Sequence, residues 1–371
     1  MTVGAAANAG GTTGKGWAGN FFEDFALGMR LRHAAPRTVT AGDAALHLAL
    51  TGSRFALHGC DGFARQAGLP RAPLDDLFAF NLVLGQSVPD VSRNAVADLG
   101  CADGRFGALL YPGDGVAAES EVIGLKPTGD GRSGVVYVRT RGVKQDGRVV
   151  VEFVRWVLVP RRRPADSAAA ASGAAGHLPR LPSHVPADRL GVPAGLRPRG
   201  LDLELSGSPF LFEDYAPGER IDHQDGAVIG DSEHRLATRL YRNTARVHFD
   251  AHREREGRFG RCVVYGGHVM SLARALSFNG LGNALHVAAI NGGRHVAPCF
   301  AGDTLYAWTE VLDRAPLAGR PDLGALRLRL VATKDRPCAD FPYRDDSGRY
   351  DPSVVLELDY WALLPRRDNR P

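Results

Sequence analysis

The chain has 371 residues, 44% of them hydrophobic (AVILMFWYC) and 23% charged, enough for two ordinary domain cores and unlike a disordered sequence. A net charge of +4, dispersed along the chain, argues against a nucleic-acid partner, and no helix-turn-helix or zinc-finger spacing supports one. Five scattered cysteines without a CxxC pair point to reduced thiols in a cytoplasm and away from a disulfide framework.

Met1 to Gly16 is small and Gly/Ala-rich with no apolar core, so it reads as a mobile tail, neither a signal peptide nor a membrane span. A short extended opening follows at Phe21-Phe22-Glu23-Asp24-Phe25-Ala26-Leu27-Gly28. After the stretch Ser53-Arg54-Phe55-Ala56-Leu57-His58 comes the near-wholly apolar run Leu77–Leu84, the pattern of a helix wrapped on most sides by sheet. Val135–Arg141 and Val149–Val159 are predicted strands, with Asp146-Gly147 as the hairpin turn between them. Pro164 to Gly200 is dense in Ala, Pro, Gly and Ser and reads as a linker.

The same order then returns. Leu211-Phe212-Glu213-Asp214-Tyr215-Ala216-Pro217-Gly218 repeats the opening at an offset of 190, and Asn243-Thr244-Ala245-Arg246-Val247-His248 repeats the His58 stretch at the same offset. Val269, Leu272, Ala273 and Leu276 form a helical stripe. Gly302-Asp303 answers Gly113-Asp114 at 189, and Trp361 with Pro365-Arg366-Arg367 answers Trp156 with Pro160-Arg161-Arg162 at 205. Leu326–Leu330 and Leu356–Tyr360 alternate as half-buried strands, with a turn at Asp345-Asp346-Ser347-Gly348. A period this long is a duplicated domain, with halves 17–163 and 201–371. The basic runs are expected as solvated strand ends, and the repeated Glu-Asp pairs and Asp303 as structural residues. One long helix followed by antiparallel strands is an α+β unit. The expected fold is a tandem double hotdog, each half a central helix wrapped by a curved antiparallel sheet.

These residues resemble the MaoC-like, (R)-specific enoyl-CoA hydratase family, whose pattern reads Thr-Gly-Asp-x-Asn-Pro-x-His-x-Asp, then an apolar helix opened by His-Gly, then Arg-Phe-x-x-Pro-Val-x-x-Gly-Asp. The first half offers Thr51-Gly52-Ser53 through His58, Arg105-Phe106 and Pro112-Gly113-Asp114. The second offers Asn243 through Asp250, Tyr265-Gly266-Gly267-His268, Arg294-His295, Pro298 and Gly302-Asp303. The strings Val122-Ile123-Gly124-Leu125-Lys126 and Arg274–Leu281 are similar to the mesaconyl-CoA-hydrating branch of that family. The resemblance implies interconversion of β-methylmalyl-CoA and mesaconyl-CoA plus water, coenzyme A as part of the substrate, no further cofactor, and a further homodimer.

Dehydrating a 3-hydroxyacyl thioester requires an acid/base near the α-carbon and the departing hydroxyl, and donors on the thioester oxygen. The family's catalytic Asp is Asn243 here and Ser53 in the first half, so His248 is expected to carry the proton transfers with Asn243 orienting the water or hydroxyl. Gly266 and Gly267 open the second helix and would let backbone N–H groups approach the thioester. The first half has Asp75-Asp76 there, which would repel an oxyanion, so the second half is the expected catalyst. Arg54, His58, Arg246, Tyr265 and His268 are the expected substrate-binding residues. An arginine among Arg54, Arg242 and Arg246 would suit a substrate with a free carboxylate. No His/Cys/Asp cluster has metal-ligand spacing, so no metal is expected. A broader (R)-3-hydroxyacyl-CoA dehydratase, a thioesterase and an inactive acyl-CoA-binding partner subunit stay open at this point, because the fold alone does not decide between them.

Overall fold

The computed structural model describes residues 15–164 and 176–367. The expected tail up to residue 14, and residues 165–175 of the expected linker, lie outside the described residues.

The first half runs β1 (Arg30–Arg32), β2 (Arg37–Thr38), α1 (Ala41–Thr51), α2 (Ala56–Gly59), α3 (Asp61–Gln66) and α4 (Asp76–Val91). Four long strands follow: β3 (Ala97–Phe106), β4 (Gly115–Pro127), β5 (Ser133–Lys144) and β6 (Val149–Pro160). The second half repeats this order with β7 (Arg220–Asp222), β8 (Ala227–Val228), α5 (Asp231–Leu240), α6 (Ala251–Glu254) and α7 (Gly266–Leu276). It ends with β9 (His286–His295), β10 (Thr304–Leu317), β11 (Arg320–Lys334) and β12 (Val354–Pro365).

All pairings are antiparallel and build one continuous sheet in the order β1-β4-β5-β6-β3-β9-β12-β11-β10-β7. The order reads the same from either edge, so a pseudo-twofold axis passes between β3 and β9. Each half contributes one long buried helix. Every side chain of α4 from Asp76 to Val88 is buried, which is why this run shows no amphipathic stripe in the sequence.

The two repeated charged motifs are partners. Arg162 donates to Asp24 at 2.7 and 2.6 Å, and Arg366 donates to Glu213 at 2.9 Å, while Arg367 bonds Asp214. The basic runs are therefore clamps that hold the last strand of each half to its opening turn, where solvated ends were expected. Phe22 and Phe212 lie beneath Arg161 and Arg366.

The halves join at their helices. Asn81 donates from Nδ2 to the Gly267 carbonyl at 3.0 Å and to Ser271 Oγ at 3.1 Å, and its Oδ1 accepts from the Tyr265 hydroxyl at 3.0 Å. Asn81 and Ser271 stand 190 residues apart, so they are the same position of the repeat meeting across the axis. At Gly85 a Cβ would come within 2.9 Å of the Tyr241 carbonyl carbon and nearer still to its oxygen. Replacing Gly85 with Ala should lower stability by at least the ~1–3 kcal/mol usual for overpacking, because backbone and not a flexible side chain must give way. A thermal melt checks this; an unchanged midpoint would contradict the packing.

Part of the expected linker is a docked strap. Trp361 Nε1 donates to the Val185 carbonyl at 2.9 Å, the Val185 N–H donates to Asn291 Oδ1 at 2.8 Å, and Val185 and Leu196 pack with Leu57, Phe63 and Trp361. The turn expected at Asp345–Gly348 is present, with the Gly348 N–H on the Asp345 carbonyl, but as the tip of a longer excursion between β11 and β12. That excursion packs Phe341 and Tyr343 against Trp308.

Candidate active site

The second half's motif arc lies between α5 and α6. Asn243 is buried; its Oδ1 accepts the Ala245 N–H at 2.9 Å, and among the described residues no protein acceptor takes its Nδ2 hydrogens. His248 Nδ1 lies 2.9 Å from the Val263 carbonyl. A carbonyl only accepts, so Nδ1 carries the proton and Nε2 presents a bare lone pair. Burial lowers the His248 pKa to about 4 against the opposing Val263 hydrogen bond, and His234 and His295 push it the same way as burial. The imidazole is therefore neutral through the physiological range, a base ready to accept a proton.

The start of α7 is open. Among the described residues neither the Gly266 nor the Gly267 N–H donates to a protein acceptor. At the related position in the first half, the Leu77 N–H is taken by the Asp75 carboxylate at 2.8 Å, an N-cap that closes α4. Both glycines are also demanded by protein neighbours. A Cβ on Gly267 would meet the Tyr265 ring at 2.5 Å and Asn81 Oδ1 nearer still, and one on Gly266 would strike the His295 ring. Tyr265 commits its hydroxyl to Asn81, so only its ring edges the site, 5.5 Å from that of His248. His268, in the first turn of α7, is 1% exposed with Nδ1 unpartnered, and burial brings its pKa to about 3.

In the first half the same positions are sealed. His58 is buried, its Nδ1 on the Pro73 carbonyl at 3.3 Å and its Nε2 3.9 Å from Asp76. Asp76 lies 2.8 Å from His286 and accepts the Val287 N–H at 2.7 Å, and Asp75 lies 3.4 Å from His47, which meets the Tyr241 hydroxyl at 2.8 Å. The two carboxylates do not face a substrate oxygen, as the sequence suggested; internal partners engage them, several from the other half. His58, expected to bind substrate, is enclosed in this cluster instead. Burial raises the Asp75 pKa, but the His47 hydrogen bond and the charges of His47, His58 and Arg274 outweigh it, and the net shift is downward. A carboxyl whose folded pKa lies below its unfolded value of roughly 4 adds stability above that pH and loses it as the pH falls. Asp75→Asn should therefore shrink the drop in melting temperature on acidification from about pH 5 to pH 3; an unchanged drop would contradict the assignment.

A cleft of about 420 Å³ opens where the halves meet, lined by Gln86 and Pro89 of α4 and by Arg239, Arg242, Asn243 and Phe249. Arg242 has a left-handed backbone, φ 57°, and its guanidinium donates to the Ala35 carbonyl at 2.8 Å. Of the three arginines considered from sequence, this one reaches the cleft. Arg54 lies over the Phe278 ring at 4.6 Å and 3.6 Å from Asp225, outside the lining residues. Arg246, His248, Gly266 and Gly267 do not line the cleft either; of the motif arc, Asn243, Thr244 and Phe249 do. On the related side of the axis Phe55 packs edge to face on Phe278 with Arg274 3.6 Å above it, so aromatic rings occupy that space. Among the described residues, no group of three or more His, Cys, Asp and Glu side chains is placed to hold a metal. The cross-half partners Asn81, His47 and Tyr241 were missed from sequence; only Asn81, the lone polar residue in the apolar run, carried a signal.

Two helix-on-sheet units sharing one antiparallel sheet, with a His-bearing arc beside an uncapped helix start, define the class of MaoC-like double hotdog proteins. The chain belongs to the mesaconyl-CoA hydratase family. A family model for mesaconyl-CoA hydratase matches residues 6–189. The β-methylmalyl-CoA dehydratase of Chloroflexus aurantiacus is 57% identical over 94% of this chain and 98% of its own length. The mesaconyl-CoA hydratase of Cereibacter sphaeroides is 54% identical over 94% of this chain and 99% of its own. A crystal structure of a MaoC-domain dehydratase from Chloroflexus aurantiacus, 55% identical, superposes with a TM-score of 0.90 over 96% of this chain and 100% of that one. A double hotdog protein of Mycobacterium tuberculosis at 24% identity and TM-score 0.71 shares the fold.

Proposed function

We propose that the chain interconverts β-methylmalyl-CoA and mesaconyl-CoA plus water at one site, in its second half. The observation that carries the location is the contrast between helix starts: α4 is capped by Asp75, whereas α7 presents free N–H groups with a neutral His248 at the site. In the dehydration direction, Nε2 of His248 takes the proton from the carbon α to the thioester. The electron pair moves toward the thioester oxygen, held by the Gly266 and Gly267 N–H groups and the dipole of α7. Collapse of the enolate forms the carbon–carbon double bond and expels hydroxide from the β-carbon. The hydroxide takes the proton back from His248 and leaves as water, so the imidazole returns neutral. Asn243 donates from Nδ2 to orient the hydroxyl. One imidazole carries the proton both ways, so the reaction needs no cofactor beyond the coenzyme A of the substrate, and five unpaired thiols suit a reducing cytoplasm.

Purified protein should bleach the enoyl-thioester absorbance of mesaconyl-CoA, and a folded protein that leaves it unchanged would overturn the proposal. The acid limb of kcat/KM should fall near pH 4, where His248 protonates, and not near the ordinary imidazole value of about 6.5. Arg242 and Arg239 are the groups for the substrate's free carboxylate. Arg242→Ala should lower kcat/KM on mesaconyl-CoA about ten- to hundredfold more than on crotonyl-CoA, as for loss of a charged hydrogen bond. Equal losses on both substrates would remove it from that role.

A further inference from the structure

We propose that His295 is a further catalytic residue, a neutral imidazole that donates a hydrogen bond to the thioester oxygen beside the Gly266 and Gly267 N–H groups. The inference rests on the site proposed above. His295 is the last residue of β9, and its ring lies over the first residue of α7. A Cβ on Gly266 would sit 2.6 Å from its Cε1 and 2.8 Å from its Cδ2, with Nε2 nearer still. The glycine thus makes room for this ring at the helix start.

The chain carries its own control. Strand β3 of the first half, like β9 ten residues long, ends on Phe106 at the position related to His295. Where the helix start is closed by Asp75 and Asp76, the ring is phenyl; where it is open, the ring is imidazole. Phe106 is buried in the core, whereas His295 is exposed beside the open helix start, where an imidazole can offer an N–H to a ligand and a phenyl ring cannot.

The ring is also uncommitted. Among the described residues, neither nitrogen of His295 hydrogen-bonds to the protein, and the residue is exposed, so the donor faces solvent or whatever replaces it. Packing of one side of the ring against the start of α7 lowers its pKa, and Asp98 opposes that shift. His268, in the first turn of the same helix and 1% exposed, also leaves Nδ1 unpartnered. A fixed neutral donor aimed at an oxygen that gains charge is stronger in the transition state than in the ground state, and so accelerates the reaction.

The test compares wild type with His295→Phe, which installs the first half's own ring, and His295→Gln, which keeps an N–H donor. On mesaconyl-CoA, His295→Phe should lose about 10²–10³ in kcat with KM little changed, and the infrared thioester carbonyl band of bound substrate should be less red-shifted. His295→Gln should stay within about tenfold of wild type. If His295→Phe loses its melting transition, His295→Ala takes its place, with added free imidazole expected to restore activity. Wild-type kcat in His295→Phe, or no imidazole rescue of a folded His295→Ala, overturns the inference and leaves the proposed function standing. A folded wild type without turnover overturns both.

Discussion

Replacing His248 with alanine should lower kcat on mesaconyl-CoA by ~10²–10⁴, the range for loss of a general acid/base. Its Nδ1 proton is fixed on the Val263 carbonyl, so the lone pair of Nε2 is the only one the ring can offer, and burial keeps it unprotonated down to about pH 4. The melting temperature should barely move, since a half-buried ring with one hydrogen bond supports little else. His58→Ala should behave in the opposite way. That ring is enclosed between Pro73 and Asp76, so its loss should be read in stability, with kcat kept within about tenfold. Steady-state rates and melts of both variants check the pair; a catalytic loss confined to His58→Ala would reverse the assignment of halves.

Asp76→Ala should be the most destabilising of the substitutions considered. Its carboxylate accepts the Val287 N–H from β9 and lies 2.8 Å from His286, with both side chains almost fully buried. Removing the carboxylate leaves the buried Val287 N–H without its acceptor and the His286 ring without its polar neighbour, at about 1–3 kcal/mol for each group left unsatisfied. The loss should appear as weakened coupling between the halves. A double-mutant cycle with His286→Ala should show that the two changes do not add. Additive losses would mean that Asp76 acts through some other contact.

The repeat of 190 residues made the two halves and the apolar helix legible, because duplication preserves hydrophobic pattern and turn residues that any one copy could carry by chance. The pairing of Glu-Asp openings with Pro-Arg-Arg ends was visible only as two separate repeats, since nothing local records that residues 153 apart close on each other. Asp75 carried a readable signal, an Asp directly before an apolar helix, the usual N-cap, yet its proximity to the expected oxyanion suggested repulsion instead. The arginine question could not be settled from sequence. Arg54, Arg242 and Arg246 are equally near the motif, and what brings Arg242 to the cleft is a left-handed backbone and a carbonyl of the other half. The Asp76–Val287 bond spans 211 residues, a distance over which periodicity and propensity are silent.

The central claim is that two similar halves make one site, because Asp75 and Asp76 close one helix start and the other stays open. Calorimetric titration of the intact chain with methylsuccinyl-CoA measures this directly, because this saturated analogue of mesaconyl-CoA keeps the thioester oxygen and the free carboxylate but has no double bond to hydrate and no hydroxyl to lose. One analogue bound per chain, with that binding unchanged in Asp75→Asn, is the expected result. Two equivalent sites per chain would contradict it.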